Sequence, residues 1–275
     1  MPRKAAEKAA PAAPKKPRKP RTPKAPKEER LEDILMACRN DLRGRAAMTD
    51  KRDLLLTLVF LKFIGDRFVE RRAALEEQHK GEPAELVSLI VSQPSFYGQE
   101  GIFYLPDECL WEKLIQVNPA EMAVAFDNAI AKLERDQKSL KNALPQQIFT
   151  KTALEAKDLK AVVDDINKID PKRFQDKDLI GRVYEYYLQA FSINADKEEG
   201  EFYTPHSIVE LIASLIEPYD GTIYDPCCGS GGMFIQSAKL VAARGGNTKS
   251  ISVYGQESDP STFRLAKMNL AVRGI

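Results

Sequence analysis

Apolar side chains recur every three or four residues through most of the first 192 positions. The first such run consists of Leu31, Ile34, Leu35 and Cys38. This spacing places them on one face of a helix and predicts helical structure from Glu28 to Lys80, interrupted at Gly44. The second helix of this stretch is apolar on more than one face near its start, which predicts a buried position. Thr49 or Asp50 is its predicted N-cap.

Further helices are predicted beyond residue 110. One begins at Trp111, and the pair Asn118-Pro119 is typical of the start of another. Helices are also predicted for Leu159–Ile169 and Asp178–Ser192. The segment 28–192 is therefore predicted to be all-α. The regularly spaced apolar residues of this segment are typical of a hydrophobic core. We find no candidate catalytic residue among them.

The pattern changes after Gly200. Short apolar runs predict a buried strand at Thr222–Pro226 and a second strand at Ser250–Glu257. Between them a helix is predicted from Gly232 to Arg244, with Gly245 as its stop. A last helix is predicted to begin at Asp259-Pro260. Strand, helix, strand, helix is the opening of a doubly wound, Rossmann-like domain, so the fold class is α + α/β.

Charge is unevenly distributed along the chain. Residues 1–27 hold ten Lys or Arg and one Glu, a net of +9, so the remainder carries −8 to reach the total of +1. Proline recurs at every third position from 11 to 26, which favours an extended, disordered tail. The tail is either a solubilising segment or a non-specific nucleic-acid arm, because each Lys or Arg can neutralise a phosphate.

The cysteines, the N-terminus and the longest apolar stretch indicate the cellular compartment. The four cysteines, Cys38, Cys109, Cys227 and Cys228, show no metal-ligand spacing, and a reduced, cytoplasmic protein is expected. The basic N-terminus lacks the apolar region of a signal peptide. The longest apolar stretch, Leu54–Ile64, is too short for a bilayer core of roughly 30 Å. No membrane partner and no metal are expected.

A glycine-rich turn follows the first predicted strand, with the sequence Asp225-Pro-Cys-Cys-Gly-Ser-Gly-Gly232. Glycines let a backbone approach a ligand closely, and the helix N-terminus then faces that ligand. A simple packing turn is the alternative. Asp225 ends the first strand, where it can meet a cationic ligand group. Glu257 ends the second, where a carboxylate can accept both hydroxyls of a ribose.

The turn differs from known phosphate-binding patterns. The third glycine of the dinucleotide fingerprint is missing, and no Lys follows as in a P-loop. A ligand with a ribose and an amino acid but no phosphate fits better, and S-adenosylmethionine is such a molecule.

A second motif, Gly200-Glu-Phe-Tyr-Thr-Pro-His206, precedes the first strand. Thr204 is predicted to cap the next helix, with Pro205 in its first turn. Phe202 and Tyr203 are not needed for a cap, and two aromatic rings beside a strand-end pocket can pack on an adenine or a methionine.

These motifs, in this order and spacing, resemble the modification subunit of type I restriction-modification systems. The resemblance extends to Tyr254-Gly-Gln-Glu257, Lys267-Met-Asn-Leu270 and Gly274-Ile275. Asp41-Leu-Arg-Gly44, Leu58-Val-Phe-Leu-Lys62 and Asp66-Arg-Phe68 resemble that family's helical N-terminal domain. The resemblance implies a disordered tail over 1–27, a helical domain over 28–175 and part of a methyltransferase domain, dependent on S-adenosylmethionine, over 176–275.

The family also implies roles for residues and partners. Ser230, Gly231 and Gly232 would hold the methionine end of S-adenosylmethionine, and Glu257 its ribose. The remaining pocket-lining positions would be Glu201, Phe202, Tyr203, Thr204, Pro205 and His206. Expected partners are DNA, a specificity subunit that reads the target sequence, a second copy of the modification subunit and a restriction subunit. No redox function is expected for Cys227 and Cys228.

The family's reaction methylates the exocyclic amine of adenine, using an Asn-Pro-Pro-aromatic loop on a base flipped from the duplex. No such run occurs here, because Asn118-Pro119 is followed by Ala120. The expectation is an amino-terminal portion of a methyltransferase whose catalytic motif lies beyond Ile275, inactive by itself. The alternative is a non-catalytic remnant, acting as an assembly or DNA-binding module.

Overall fold

The computed structural model describes residues 30–152, 154–170, 179–192, 204 and 206–275. The first part of the described chain is helical, with short 3₁₀ turns at Asp107–Cys109 and Lys138–Leu140. Its α-helices are α1 (Leu31–Asp41), α2 (Met48–Gln78), α3 (Ala84–Val91), α4 (Ser95–Gly98), α5 (Trp111–Leu114), α6 (Pro119–Asp136), α7 (Ile148–Lys151), α8 (Ala156–Asn167) and α9 (Leu179–Ser192).

The second part alternates helices and strands. In chain order it comprises α10 (His206–Ile216), β1 (Gly221–Asp225), α11 (Gly232–Ala243), a 3₁₀ turn at Thr248–Ser250, β2 (Ile251–Gly255) and α12 (Pro260–Ala271). The fold class predicted from the sequence, a helical part followed by the opening of an α/β part, is confirmed.

Helix α2 forms the centre of the helical part. Every residue from Arg52 to Lys62 is buried, because α1, α3, α8 and α9 pack around it. The predicted buried position is therefore confirmed. The predicted cap is wrong: the helix begins at Met48 with Ala47 as N-cap, and no side chain caps it. Thr49 and Asp50 lie in the first turn instead. There the negative charge of the Asp50 carboxylate interacts favourably with the positive, N-terminal end of the helix dipole.

Helix α6 begins where the sequence predicts. The Asn118 side chain accepts a hydrogen bond of 3.0 Å from the Ala120 amide, and Pro119 occupies the first turn. The buried face of α6 packs on α7 and α8. There Trp111, Phe126 and Phe149 form a chain of ring contacts with centroids 5.9 and 5.1 Å apart.

Strands β1 and β2 are parallel neighbours, and Asp225 pairs with Gly255 at their carboxyl ends. The prediction of buried strands is wrong for both, since the residues of β1 and β2 are exposed or half-buried. The physical reason is that only alternate side chains of each strand are shielded from solvent. Ile223 and Val253 are half-buried on one face of the sheet, whereas Tyr224 and Tyr254 are each 61% exposed on the other.

Helix α12 joins the two parts of the molecule. Its residues Leu265 and Met268, and Val272 directly after it, are buried in the same core as α2. Its first turn therefore lies against the N-terminal half of α2, directly after the end of β2. No helix among the described residues is long and apolar enough to cross a membrane.

Candidate cofactor site at the carboxyl ends of the strands

The turn after β1 is held by its own backbone and by Asp225. The Cys227 amide donates to Asp225 Oδ1 at 3.0 Å, and the Gly231 amide donates to the Cys228 carbonyl at 2.9 Å. Gly229 and Gly231 have φ angles of 54° and 82°, in the left-handed region that glycine adopts without a Cβ penalty. The glycines therefore allow the tight turn that the sequence predicts.

Helix α11 starts directly from this turn, with Gly231 as N-cap and no side-chain cap. Its first-turn amides have no intrahelical acceptor, and they carry the positive end of the helix dipole. This helix start is suited to an anionic ligand group such as a carboxylate.

Glu257 connects the turns after the two strands. Its Oε2 accepts from the Gly229 amide at 3.1 Å, and its Oε1 accepts from the Asp259 amide at 2.9 Å. The side chain is half-buried. A carboxylate has about four acceptor positions, so two backbone hydrogen bonds orient Glu257 and leave lone pairs for a ligand's hydroxyl groups.

Backbone hydrogen bonds further fix the two turns to each other. The Gln256 amide donates to the Asp225 carbonyl at 2.9 Å, and the Cys228 amide donates to the Gln256 carbonyl at 3.0 Å. Asp225 and Glu257 therefore lie at one edge of the sheet, as the sequence predicts. Two carboxylates at this edge favour a ligand that carries positive charge.

Five predicted site residues come together here: Asp225, Ser230, Gly231, Gly232 and Glu257. Thr204 is exposed, and His206 is the first residue of α10, which packs on α11. Glu201, Phe202, Tyr203 and Pro205 lie outside the described residues, as does the side chain of His206. Their assignment to the pocket, and the Thr204 cap, remain predictions.

Two residues of the site were not assigned a role from the sequence. Asn269 is 4% exposed, and its Nδ2 donates to the Ser230 carbonyl at 2.9 Å, which ties α12 to the glycine-rich turn. Gly255 leaves no room for a side chain, since a Cβ would lie 2.8 Å from Cys228 Sγ. A buried side-chain amide in a helix usually has a hydrogen-bond partner. The position of Asn269 within the amphipathic helix α12 was therefore the sequence signal that could have identified it.

The cysteines of the turn are free. Burial, with the nearby charges of Asp225 and Glu257, raises the pKa of the Cys228 thiol. The thiolate is the reactive form, so Cys228 is a poor nucleophile at neutral pH. Within the described ranges, no group of three or more His, Cys, Asp or Glu is arranged to hold a metal ion.

Family models match both parts of the chain. Residues 31–166 match the HsdM N-terminal domain, and residues 175–275 match N-6 DNA methylase. The site thus lies in the part of the chain that matches a DNA methylase.

Individual methylase subunits are similar to this chain. The methylase subunit of the type I restriction enzyme MjaIX from Methanocaldococcus jannaschii is 34% identical over 88% of this chain and 45% of its own length. The HindI methylase subunit from Haemophilus influenzae is 37% identical over 56% of this chain and 36% of its own length. The chain thus spans less than half of these relatives.

A solved structure has the same fold. The crystal structure of a type I restriction-modification methyltransferase subunit from Streptococcus thermophilus gives a TM-score of 0.65 at 17% identity, over 89% of this chain and 56% of that one. With both family models, these matches show that the chain belongs to the family of methylase subunits of type I restriction-modification enzymes.

Proposed function

We propose that this chain binds S-adenosylmethionine at the strand-end site and supplies the cofactor half of a DNA adenine methyltransferase. The observation that carries the proposal is the Glu257 carboxylate, held by the Gly229 and Asp259 amides at the edge where β1 and β2 end. A half-buried carboxylate oriented in this way is suited to bind the two hydroxyls of a ribose.

The rest of the site fits the other end of the cofactor. The start of α11 at Gly231 and Gly232 suits the carboxylate of the methionine moiety, and Asp225 suits a cationic group. Ser230 is held by Asn269 beside them. The bound cofactor supplies an electrophilic methyl group on a sulfonium. The protein residues bind and orient it.

Adenine is the proposed target because of the N-6 DNA methylase match. Methylation of a base amine requires the base to leave the stack and enter a pocket. The sequence contains no Asn-Pro-Pro-aromatic run to hold such a base. The residues present are therefore proposed to bind the cofactor and to be inactive by themselves in methyl transfer.

The proposed partners follow from family membership. They are DNA, a specificity subunit that selects the target, a second methylase subunit and a restriction subunit. Association with a specificity subunit is tested by co-purification of the two chains. A methylase chain that stays alone at micromolar concentration would contradict it.

The cofactor site is tested by replacing Glu257 with alanine. We expect the Kd for S-adenosylmethionine, measured by calorimetry, to rise more than about tenfold, because the loss of hydrogen bonds to a charged group costs about 1.5–3 kcal/mol. Glu85→Ala is the matched control, since Glu85 is exposed on α3.

The outcomes separate the alternatives. Unchanged affinity in a folded Glu257→Ala protein would remove the ribose assignment. Absence of binding by the unaltered chain would favour the other interpretation of the sequence, an assembly or DNA-binding module.

A further inference from the structure

We infer that the buried pair Arg52–Asp53 of helix α2 positions Glu257 for the cofactor, acting through Ser261 in the first turn of α12. The inference rests on the proposed cofactor function and adds positioning residues from the helical part of the chain.

The three side chains form a closed set of hydrogen bonds. Arg52 Nε donates to Asp53 Oδ1 at 3.1 Å, and Arg52 Nη2 donates to Ser261 Oγ at 2.8 Å. The Ser261 hydroxyl donates in turn to Asp53 Oδ2 at 2.8 Å. The Ser261 hydroxyl on α12 thus accepts a hydrogen bond from Arg52 and donates one to Asp53, and both of these residues lie on α2.

Both residues of the ion pair on α2 are buried. Arg52 is 3% exposed and Asp53 is 7% exposed. A buried ion pair adds little net stability compared with apolar packing, but its hydrogen bonds are directional. The pair therefore determines where the start of α12 lies relative to α2, which apolar packing alone would specify less closely.

A second contact reinforces this arrangement one turn later. Arg264 Nη2 lies 3.8 Å from Asp53 Oδ2, so a single aspartate contacts two residues of α12. The position of Asp53 therefore governs where the first turns of α12 lie along the helix axis and how they are rotated about it.

The start of α12 in turn orients Glu257. Asp259 caps the helix by accepting from the Thr262 amide, and the Asp259 amide donates to Glu257 Oε1 at 2.9 Å. Only three residues separate Glu257 from Ser261. A shift at Ser261 therefore moves the donor that holds one oxygen of the Glu257 carboxylate.

This path connects the helical part of the chain with cofactor affinity. Coupling between sites is reciprocal, so bound cofactor must stabilise the contact between α2 and α12. We expect S-adenosylmethionine to slow amide hydrogen exchange near Arg52 and Asp53 on α2, although neither residue belongs to the proposed pocket.

The direct test is Ser261→Ala, which removes one hydroxyl and leaves the Arg52–Asp53 pair intact. We expect the Kd for S-adenosylmethionine to rise about fivefold, or about 1 kcal/mol, because only part of the free energy of the two lost hydrogen bonds is transmitted to the cofactor site. Ser261→Thr keeps the hydroxyl and should restore most of the affinity. Ser237→Ala is the matched control, since its buried hydroxyl donates to the Met233 carbonyl within α11.

A double-mutant cycle distinguishes positioning from general loss of stability. If Ser261 acts through Glu257, then Ser261→Ala has no further effect on affinity in a Glu257→Ala background. Equal losses in both backgrounds, or a Ser261→Ala protein that binds like the control, would overturn the inference. If Glu257→Ala itself leaves affinity unchanged, the proposed ribose site fails instead, and the inference fails with it.

Discussion

At the scale of the residue, Gly255 is a position of the site where the structure leaves no room for a side chain. A Cβ at this position would lie 2.8 Å from Cys228 Sγ and 3.0 Å from Phe234 Cε2. We expect Gly255→Ala to lower the free energy of unfolding by about 1–3 kcal/mol, the usual cost of overpacking, and to weaken cofactor binding. Urea denaturation followed by circular dichroism measures the change.

Gly98→Ala is the control for this substitution. A Cβ there meets nothing within 4 Å, and the backbone is in an ordinary conformation. Its effect is expected within about 0.5 kcal/mol. A Gly255→Ala protein as stable as this control would show that the turn can move to accept a side chain.

The four cysteines should differ in reactivity. Burial raises the pKa of Cys38 and of Cys109 to about 12 each. At pH 8 only about one thiol in ten thousand is then ionised at either residue, and the thiolate is the reactive form. We expect a disulfide reagent at pH 8 to label exposed Cys227 quickly, and Cys38 and Cys109 only after denaturation. Peptide mass spectrometry identifies the sites. Rapid labelling of all four in the folded protein would contradict their burial.

At the scale of the element, Asp259 is the cap of α12. Burial acts to raise the pKa of its carboxyl, but hydrogen bonds from Thr262 outweigh it, and the pKa is lowered. A carboxylate with a lowered pKa stabilises the folded state above its ordinary pKa, and this contribution is lost as the pH falls through the lowered value.

Asp259→Ala should therefore destabilise the protein by about 1 kcal/mol near pH 7, and by progressively less as the pH falls below about 3.9, the ordinary pKa of Asp, toward the lowered pKa at which the folded carboxyl becomes protonated. Thermal unfolding over this pH range measures this dependence. Asp259→Asn is the control, because asparagine caps a helix without titrating near these pH values. A pH-independent loss in Asp259→Ala would show that charge is not involved.

Helix starts show what local sequence can and cannot predict. Asn118 and Asp259 cap their helices as expected, because an Asx residue followed by proline determines a helix start within a few residues. At α2 two neighbouring polar residues are both candidate caps, and the helix begins before both, at Met48. Packing of the long buried helix determined that start, and a side-chain cap was not needed.

At the scale of the whole molecule, the segment 1–27 places its charge of +9 on a chain whose remainder carries −8. We predict that deleting residues 1–27 weakens DNA binding and flattens its salt dependence, since each phosphate that is no longer neutralised changes the slope by about 0.9. Titrations of the assembled complex at several salt concentrations measure the slope.

A full-length variant with every Lys and Arg of residues 1–27 changed to Gln is the control, because it keeps length and prolines but loses the charge. It should behave like the deletion. An unchanged slope in both would rule out a nucleic-acid arm and leave a solubilising tail.

The sequence by itself determined the helical part, the strand–helix–strand order, the glycine-rich turn and the placement of Asp225 and Glu257 at the carboxyl ends of the two strands. These depend on periodicity and short motifs, which act over a few residues. Tertiary structure decided which distant groups meet. Glu257 finds the Gly229 amide 28 residues away, and Arg52 finds Ser261 at a separation of 209 residues. Such contacts, like the exposure of β1, depend on how whole elements pack, and no local pattern specifies that packing.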